Sequence, residues 1–349
     1  MVNNSNAGEL SSLARRLYYL FAAFLALIVI AFFTTLFYQS NPQLFKIDNA
    51  NQYVWSPKSI EKALADGWPN SEVAYGYYLI SESATAMGPK AKDPKLRYGG
   101  NHLTCTNCHL DSGTRPGAAS WVGVTARFPQ FDGRSNSQNT LEGRINGCME
   151  RSMDGKKLPD DSKEMRAIVT YMQWLSDDVP ASRSKEFEGF AKLKIPDVAV
   201  DLVKGQQLYA KECMICHGGD GQGQLHAEPS KGYQYPPLWG ADSYNNGAGM
   251  HRVLTAAQFI KGNMPFGNAT AANPKLTDEE AFHLAGYINS FDRPALSDLH
   301  QDYPDKKLKP VSSPYGPWLD DFPAEQHKFG PFPPIVAYYR THYNIKKTK

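Results

Sequence analysis

The chain has 349 residues, of which 42% are hydrophobic, 21% charged and 12% aromatic, and its formal net charge is +2. So small a charge gives no indication of nucleic-acid binding, which would require a strongly basic surface. The residues that follow one apolar segment near the N-terminus are numerous enough for two domains with their own hydrophobic cores.

The first predicted element is an uncharged segment from Leu17 to Tyr38. At about 1.5 Å per residue it is long enough to cross roughly 30 Å of hydrocarbon. A cleavable signal has a shorter apolar region followed by a small-x-small site, so we favour an uncleaved anchor over a cleaved signal. Arg15 and Arg16 precede the segment and predict that everything after Tyr38 lies outside the cytoplasm. In a bacterium this is a single-pass inner-membrane protein with periplasmic domains.

The pentapeptide Cys-x-x-Cys-His then occurs twice, as CTNCH and CMICH. Its cysteines are Cys105, Cys108, Cys213 and Cys216, and its histidines are His109 and His217. Two thiols at this spacing can form thioethers to one haem, and the adjacent histidine reaches the iron as proximal ligand. A zinc site needs two paired ligand sets for each metal, and a disulfide leaves the histidines unexplained. The sequence therefore predicts two covalently bound haem c groups.

Helical patterns surround both motifs in the same order. SEVAYGYYLISESA, with Gly76, precedes the first motif, and EMRAIVTYMQWLS, with Tyr171, follows it; Gly205 and Tyr287 take the same places around the second. This order resembles the class I cytochrome c fold, in which a small residue on the N-terminal helix crosses an aromatic residue on the C-terminal helix. The predicted fold is mainly α, with two class I cytochrome c-like domains in tandem. The alternative is two unrelated helical haem modules.

These elements predict four segments. They are residues 1–40 (cytoplasmic N-terminus and transmembrane anchor), 41–195 (first cytochrome domain, with the active-site haem), 196–294 (second cytochrome domain, with the electron-transfer haem) and 295–349 (C-terminal extension). The proline-marked stretch 177–196 is the expected interdomain linker. The extension is rich in proline and aromatic residues, too aromatic for simple disorder. We expect an irregular strap packed on the domains, with a docking arm as the alternative.

The second domain offers a methionine as distal haem ligand. Met264 lies in KGNMPFG, downstream of its motif, and a thioether ligand raises the haem potential. His251 is the nearest competing ligand, and packing of the methionine in the core is the alternative role. Both candidate ligands are identified by their position in the sequence alone, and Met264 is favoured.

The first domain lacks such a loop, although Met149, Met153, Met165 and Met172 follow its motif. The fifth cysteine, Cys148, lies in RINGCMERSMDG, in the interval where a distal ligand belongs. A lone buried cysteine is usually a small hydrophobe. The flanking Arg144 and Arg151 instead favour a thiolate, and a thiolate ligand lowers the haem potential. Met149 and Met153 remain alternatives.

Cys148 in RINGCMERSMDG, the two haem motifs, the segments WVGV and FPQF and the tail HKFGPFPPI together resemble the thiosulfate dehydrogenase (tetrathionate-forming) family of dihaem cytochromes c. The resemblance implies that His109 and Cys148 ligate the active-site haem, and that His217 and Met264 ligate the electron-transfer haem. It further implies a substrate pocket formed by Ser152, Arg134, Arg144 and Arg151. Two departures are that Asn263 stands where some relatives have a lysine, and that many relatives are soluble.

The implied reaction is oxidative coupling of two thiosulfates to tetrathionate, with electrons passing from the first haem to the second and on to a cytochrome or another acceptor near the membrane. The reverse reduction uses the same site. Two or three of Arg115, Arg127, Arg134, Arg144 and Arg151 are expected to offset the repulsion between the dianions. As a hypothesis, Cys148 carries a sulfur adduct during turnover. The alternatives are a membrane-anchored dihaem electron carrier without its own substrate, and a dihaem peroxidase.

Overall fold

The computed structural model describes residues 5–41, 55–67 and 70–348. The chain divides into two compact units, Met1–Val54 and Trp55–Lys349. The described part of the first unit is one helix, and the second unit contains both haem motifs.

Helix α1 is a continuous helix over Ser5–Ser40. An 18-residue window within its stretch Ser12–Ser40 has a mean hydropathy of 2.7, and none of that window is buried. The predicted span Leu17 to Tyr38 lies inside that stretch. The helix therefore has the length and composition of a membrane span, properties that an N-terminal signal sequence shares.

The second unit is mainly helical, with two short antiparallel strand pairs. Its helices are α2 (Ile60–Ala65), α3 (Ser71–Ser81), α4 (Ser83–Met87), α5 (Leu141–Arg151), α6 (Lys163–Ser176), α7 (Ala181–Ser184), α8 (Leu202–Glu212), α9 (Met214–His217), α10 (Val253–Asn263), α11 (Asp278–Ser290), α12 (Ala324–Phe329) and α13 (Pro333–Tyr343). Its strands are β1 (Gln130–Asp132) paired with β2 (Ser137–Asn139), and β3 (Gln224–Leu225) paired with β4 (Tyr233–Tyr235). The mainly helical fold with two tandem cytochrome c domains is confirmed.

In the first cytochrome domain, α3 crosses α6 at Gly76. A Cβ atom added to Gly76 would clash with the carbonyl of Ala167 and would lie 2.9 Å from Cβ of Tyr171. Only glycine lets the two backbones approach this closely, which is worth the cost of about 1 kcal/mol for a glycine inside a helix. The predicted crossing of Gly76 with Tyr171 is confirmed, and Tyr171 is fully buried in the first hydrophobic core.

The second cytochrome domain repeats this crossing with α8 and α11. A Cβ on Gly205 would lie 2.6 Å from Cβ of Tyr287 and would also overlap the carbonyl of His283. This bears out the second predicted crossing. The second core surrounds it and includes Tyr209, Phe282 and residues of α10. Each haem motif is thus flanked by its own pair of crossed helices.

The C-terminal extension is packed, as expected, but it is less irregular than expected because it ends in helices α12 and α13. Pro333 occupies the first turn of α13, where a missing N–H costs nothing. Ile335 and Tyr339, four residues apart on one face, are buried in the second core. The prolines predicted irregular structure, whereas Pro333 lies in the first turn of a helix.

The stretch 177–196 also packs closely. Phe187 is fully buried, and Phe190 forms an isolated antiparallel bridge with Ala118. The boundaries that we place at residues 40, 195 and 294 stay predictions.

Candidate active site

The first haem motif forms a tight turn that orients His109. Residues Cys105–Asn107 form one 3-10 turn, and the Asn107 side chain accepts from the Thr104 N–H at 2.8 Å. Nδ1 of His109 lies 2.8 Å from the carbonyl oxygen of Ala119, and the imidazole stacks on Trp121 with ring centres 4.6 Å apart. With Nδ1–H donating to that carbonyl, Nε2 carries the lone pair that a metal ligand requires.

A cavity of about 350 Å³ opens at this turn. Its wall includes Cys105, Cys108 and His109 from the motif and Cys148 from α5, among mainly apolar side chains. Arg127 also lines it, and its buried Nε has no hydrogen-bond partner. Two thiols, an oriented imidazole, an apolar wall and an unsatisfied cationic donor fit a covalently held haem with its acidic propionates.

Helix α5 and its C-cap residue place three polar side chains in the wall of this cavity. Arg144, Cys148 and Ser152 follow one another at intervals of four residues, the spacing that puts side chains on the same helical face. All three line the cavity. Nη1 of Arg144 lies 3.1 Å from Sγ of Cys148. The Thr140 hydroxyl caps the helix by accepting from the Gly143 N–H at 3.1 Å, which fixes where the helix begins.

The cysteine on α5 differs electrostatically from those of the motif. Burial alone would raise the pKa of the Cys148 thiol, but the Arg144 guanidinium beside it favours the thiolate and lowers that pKa. Burial raises the pKa of Cys105 to about 11 and that of Cys108 to about 12. Among the cysteines of this cavity, Cys148 alone therefore has surroundings that favour the thiolate.

Two further arginines meet on a carboxylate that the sequence analysis did not identify. Nη1 of Arg134 donates to Asp302 at 2.7 Å, and Nη2 of Arg151 donates to its other oxygen at 2.8 Å. The Tyr315 hydroxyl donates to the same carboxylate at 2.6 Å. Both arginines also donate to the carbonyl of Gly247, at 3.1 and 3.3 Å. The C-terminal extension thus fixes two of the predicted pocket residues.

The five candidate arginines lie in different places relative to the cavity. Arg127 and Arg144 line the cavity, whereas the predicted pocket residues Arg134 and Arg151 are joined through Asp302 and are not part of the cavity wall. Arg115 instead forms an ion pair with Asp111, which is 48% exposed, and is not part of the cavity wall. The predicted Ser152 lies beside Cys148, while Met149 and Met153 also line the cavity.

The second haem motif has the same imidazole geometry. Nδ1 of His217 lies 2.8 Å from the carbonyl oxygen of Pro236, and burial lowers the pKa of this imidazole. Met264 directly follows α10 and packs against the second core. The competing His251 engages Nδ1 with the Asn246 carbonyl, and burial together with the charge of Arg293 lowers its pKa to about 4. The buried Nε of Arg293 has no partner and suits a propionate.

Family models match both halves of the second unit. A model described as SoxA/TsdA, cytochrome c domain, matches residues 95–181, and one described as Cytochrome c matches residues 202–292. A thiosulfate dehydrogenase of Stutzerimonas stutzeri is 40% identical over 221 residues, which are 63% of this chain and 70% of that protein. One of Allochromatium vinosum is 42% identical over 203 residues, which are 57% of this chain and 73% of that protein. The chain belongs to the thiosulfate dehydrogenase family.

Two further relatives of this family are covered less fully. The thiosulfate dehydrogenase of Psychrobacter arcticus is 42% identical over 206 residues, 59% of this chain and 61% of that protein. The solved structure of thiosulfate dehydrogenase TsdBA from Marichromatium purpuratum is 32% identical, with a TM-score of 0.59 over 70% of this chain and 50% of that one. Family members are oxidoreductases by name. Two cytochrome c domains, each with its own attachment motif, mean two covalently bound haem c groups.

Proposed function

We propose that this protein couples two thiosulfate ions to one tetrathionate at the cavity beside Cys148, and that it releases two electrons. The observation that carries the proposal is the sulfur of Cys148, 3.1 Å from the Arg144 guanidinium, in the wall of the first haem cavity. A protein that only carries electrons has no use for such a cysteine in a cavity. The names of the relatives support the same reaction.

The coupling can be written through Cys148 with atoms and electrons in balance. The Cys148 thiolate and the outer sulfur of one thiosulfate form an S–S bond, and two electrons leave. The second thiosulfate attacks that outer sulfur, forms the central S–S bond of tetrathionate and displaces the Cys148 thiolate. One difficult step becomes two easier ones. No proton is transferred, so the site needs no general acid or base.

Electrostatics sets the main requirement on the residues. Two unit charges 4 Å apart repel by about 4 kcal/mol at an effective dielectric of 20, and two dianions face roughly four times that. Arg144 offsets part of this repulsion at the sulfur itself, and Arg134 and Arg151 add charge nearby. The Ser152 hydroxyl, one turn from Cys148, can donate a hydrogen bond to a bound thiosulfate.

We assign His109 and Cys148 as ligands of the first haem, and His217 and Met264 as ligands of the second. When bound, each haem supplies one-electron redox chemistry, so the two together match the electron pair released. The external acceptor is proposed to be a cytochrome or another redox protein near the membrane. Helix α1 is proposed as a single-pass anchor in a bacterial inner membrane, with the haem domains in the periplasm.

An anaerobic assay of the purified full-length holoprotein tests this function. With thiosulfate and an artificial one-electron acceptor, tetrathionate should form; with tetrathionate and a reduced donor, thiosulfate should form at a rate that reports the favoured direction. Met264→Ala should lower the potential of the second haem and slow electron exit. A holoprotein that exchanges electrons with small mediators, but converts neither sulfur compound, would be an electron carrier instead.

A further inference from the structure

A second cationic group lies at the start of α10, in the other cytochrome domain. Nη1 of Arg252 donates to the Tyr303 hydroxyl at 3.3 Å, while the guanidinium carbon of Arg134 lies 5.5 Å from the centre of the Tyr303 ring. The two arginines also touch one short loop, since Arg134 donates to the carbonyl of Gly247 and Arg252 donates to that of Gly249 at 3.4 Å. Guanidinium groups from both domains thus converge on one aromatic side chain.

The positive charge of this group exceeds its counter-charge. Asp302 is shared by Arg134 and Arg151, and in the described part of the chain no carboxylate lies within 4.0 Å of Arg144 or Arg252. Once the first thiosulfate is an adduct on Cys148, which carries one negative charge, Arg134, Arg144 and Arg151 with Asp302 leave one net positive charge. Arg252 raises this to two, which balances the attacking dianion.

Burial lowers the pKa of Arg252, and the charges of Arg134 and Arg144 lower it further. The fold therefore holds like charges together, at a cost in free energy that an anion would relieve. Helix α10 also begins at Arg252 without a side-chain cap, so the positive end of its dipole faces the same place. Arg252 and Arg134 are both only partly buried as whole residues.

The backbone around Tyr303 is shaped to hold this arrangement. Tyr303 has φ = +57°, in the left-handed region that an aromatic residue rarely adopts. Its N–H donates to the Arg134 carbonyl at 2.8 Å. Strained residues of this kind persist where the surrounding contacts over-determine them, and they concentrate at ligand sites.

We propose that Arg252 and Arg134, which both contact Tyr303, bind the sulfonate group of the second thiosulfate, the one that attacks the sulfur adduct on Cys148. This inference rests on the proposed function and extends the site into the second domain. Arg252 is then a binding residue for the attacking dianion, whereas Arg144 serves the first one.

Binding and kinetics of the full-length holoprotein test the inference. Titration calorimetry of the reduced protein, which cannot oxidise its ligand, should show two thiosulfates bound in the wild type and one in Arg252→Gln. Sulfate, a dianion that cannot couple, should compete in the wild type for the second thiosulfate site, the one that Arg252→Gln loses. In turnover, Arg252→Gln should raise KM for thiosulfate about ten- to a hundredfold, the loss expected for one charge-assisted bond, and should change kcat less. Arg252→Lys, which keeps the charge without the fork, should give an intermediate KM.

Arg183→Gln is the matched control, because Arg183 is an exposed arginine paired with Glu186 and should leave both measurements unchanged. Haem content and the unfolding midpoint identify any variant that is misfolded. If Arg252→Gln is misfolded, the KM and stoichiometry of Arg252→Lys test the inference. Unaltered stoichiometry and KM in Arg252→Gln and Arg252→Lys, with normal wild-type turnover, would overturn the inference and leave the proposed function standing. If two thiosulfates bind but are never coupled, the proposed function is overturned, and Arg252 stands only as a residue that binds an anion.

Discussion

Cys148 combines a pKa that Arg144 lowers with a position in the wall of the cavity at the first haem motif. The four cysteines of the attachment motifs are independent of it. Cys148→Gly should therefore keep both covalent haems but lower thiosulfate oxidation about a thousandfold or more, as loss of a nucleophile does.

Cys148→Met separates ligation from chemistry. Methionine can donate to iron but cannot form the sulfur adduct, so this variant should have a first haem of higher potential and no turnover. Pyridine haemochrome assay, redox titration and steady-state kinetics provide the three measurements. Thiosulfate oxidation at the wild-type rate in either variant would remove Cys148 from the mechanism.

The Asp302 carboxylate is the residue on which the arginine arrangement depends. Asp302→Asn keeps its shape but leaves Arg134 and Arg151 without their shared counter-charge, and breaking a buried ion pair in this way costs about 3–5 kcal/mol. Denaturant unfolding should show a loss of this size. Asp242→Asn is the control, since Asp242 is 30% exposed and accepts from Tyr233 and His102. An equal loss of stability in Asp242→Asn would mean that the ion pairs of Asp302 do not stabilise the fold more than this exposed carboxylate does.

Lys309 gives a prediction in pH. Burial lowers its pKa from 10.5 to about 8, with its ammonium 4.6 Å from the centre of the Tyr315 ring. The unfolded chain therefore binds more protons than the folded protein between these two values, and stability rises as pH increases from 8 to 10.5. The stability difference between the wild type and Lys309→Met should change in favour of the wild type by roughly 3 kcal/mol over this window. A difference that is flat with pH would mean that Lys309 stays charged in the fold.

At the scale of elements, the two helix crossings determine where the haem motifs lie. Gly76→Ala and Gly205→Ala should each destabilise their domain by about 1–3 kcal/mol, because the added methyl has to force the helices apart. Gly147 on α5 is the matched control, since no atom lies within 4 Å of a Cβ placed there. Gly147→Ala should be neutral or stabilising by up to about 1 kcal/mol through helix propensity. Chemical unfolding curves of the three variants distinguish a crossing glycine from a merely helical one.

The helices with periodically spaced apolar residues were predictable from the sequence. The helices α3, α6, α8 and α11 carry apolar residues at helical spacing, and the two haem motifs mark the chain between them. The face formed by Arg144, Cys148 and Ser152 could also have been found, because their four-residue spacing places them on one side of a helix.

Contacts made by irregular segments were not predictable. Asp302 reaches Arg134 across 168 residues of chain, and neither residue belongs to a periodic pattern. Arg252, which we propose as a binding residue, was not predictable because it lies more than 100 residues beyond Cys148 and belongs to no motif. The prolines at the start of α13 suggested irregular structure, since a proline marks a helix start only when burial of the following face supports it.

At the scale of the molecule, the chemistry belongs to the second unit. No residue of the proposed site precedes Ser71. Replacing residues 1–38 with a cleavable periplasmic signal should therefore give a soluble protein with two haems and full activity with an artificial acceptor. Ultracentrifugation, haem content and turnover measure these properties. A truncated protein with both haems but no turnover would show that the N-terminal helix takes part in the reaction.

The central claim is that one cavity joins two thiosulfates while the two haems take up the electron pair. Anaerobic mixing of the fully oxidised full-length holoprotein with excess thiosulfate, without any acceptor, tests it most directly: visible absorbance counts the electrons taken up and ion chromatography counts the product. We predict two electrons for every tetrathionate formed and two thiosulfates consumed. Electron uptake without tetrathionate, or with a different sulfur product, would contradict the account.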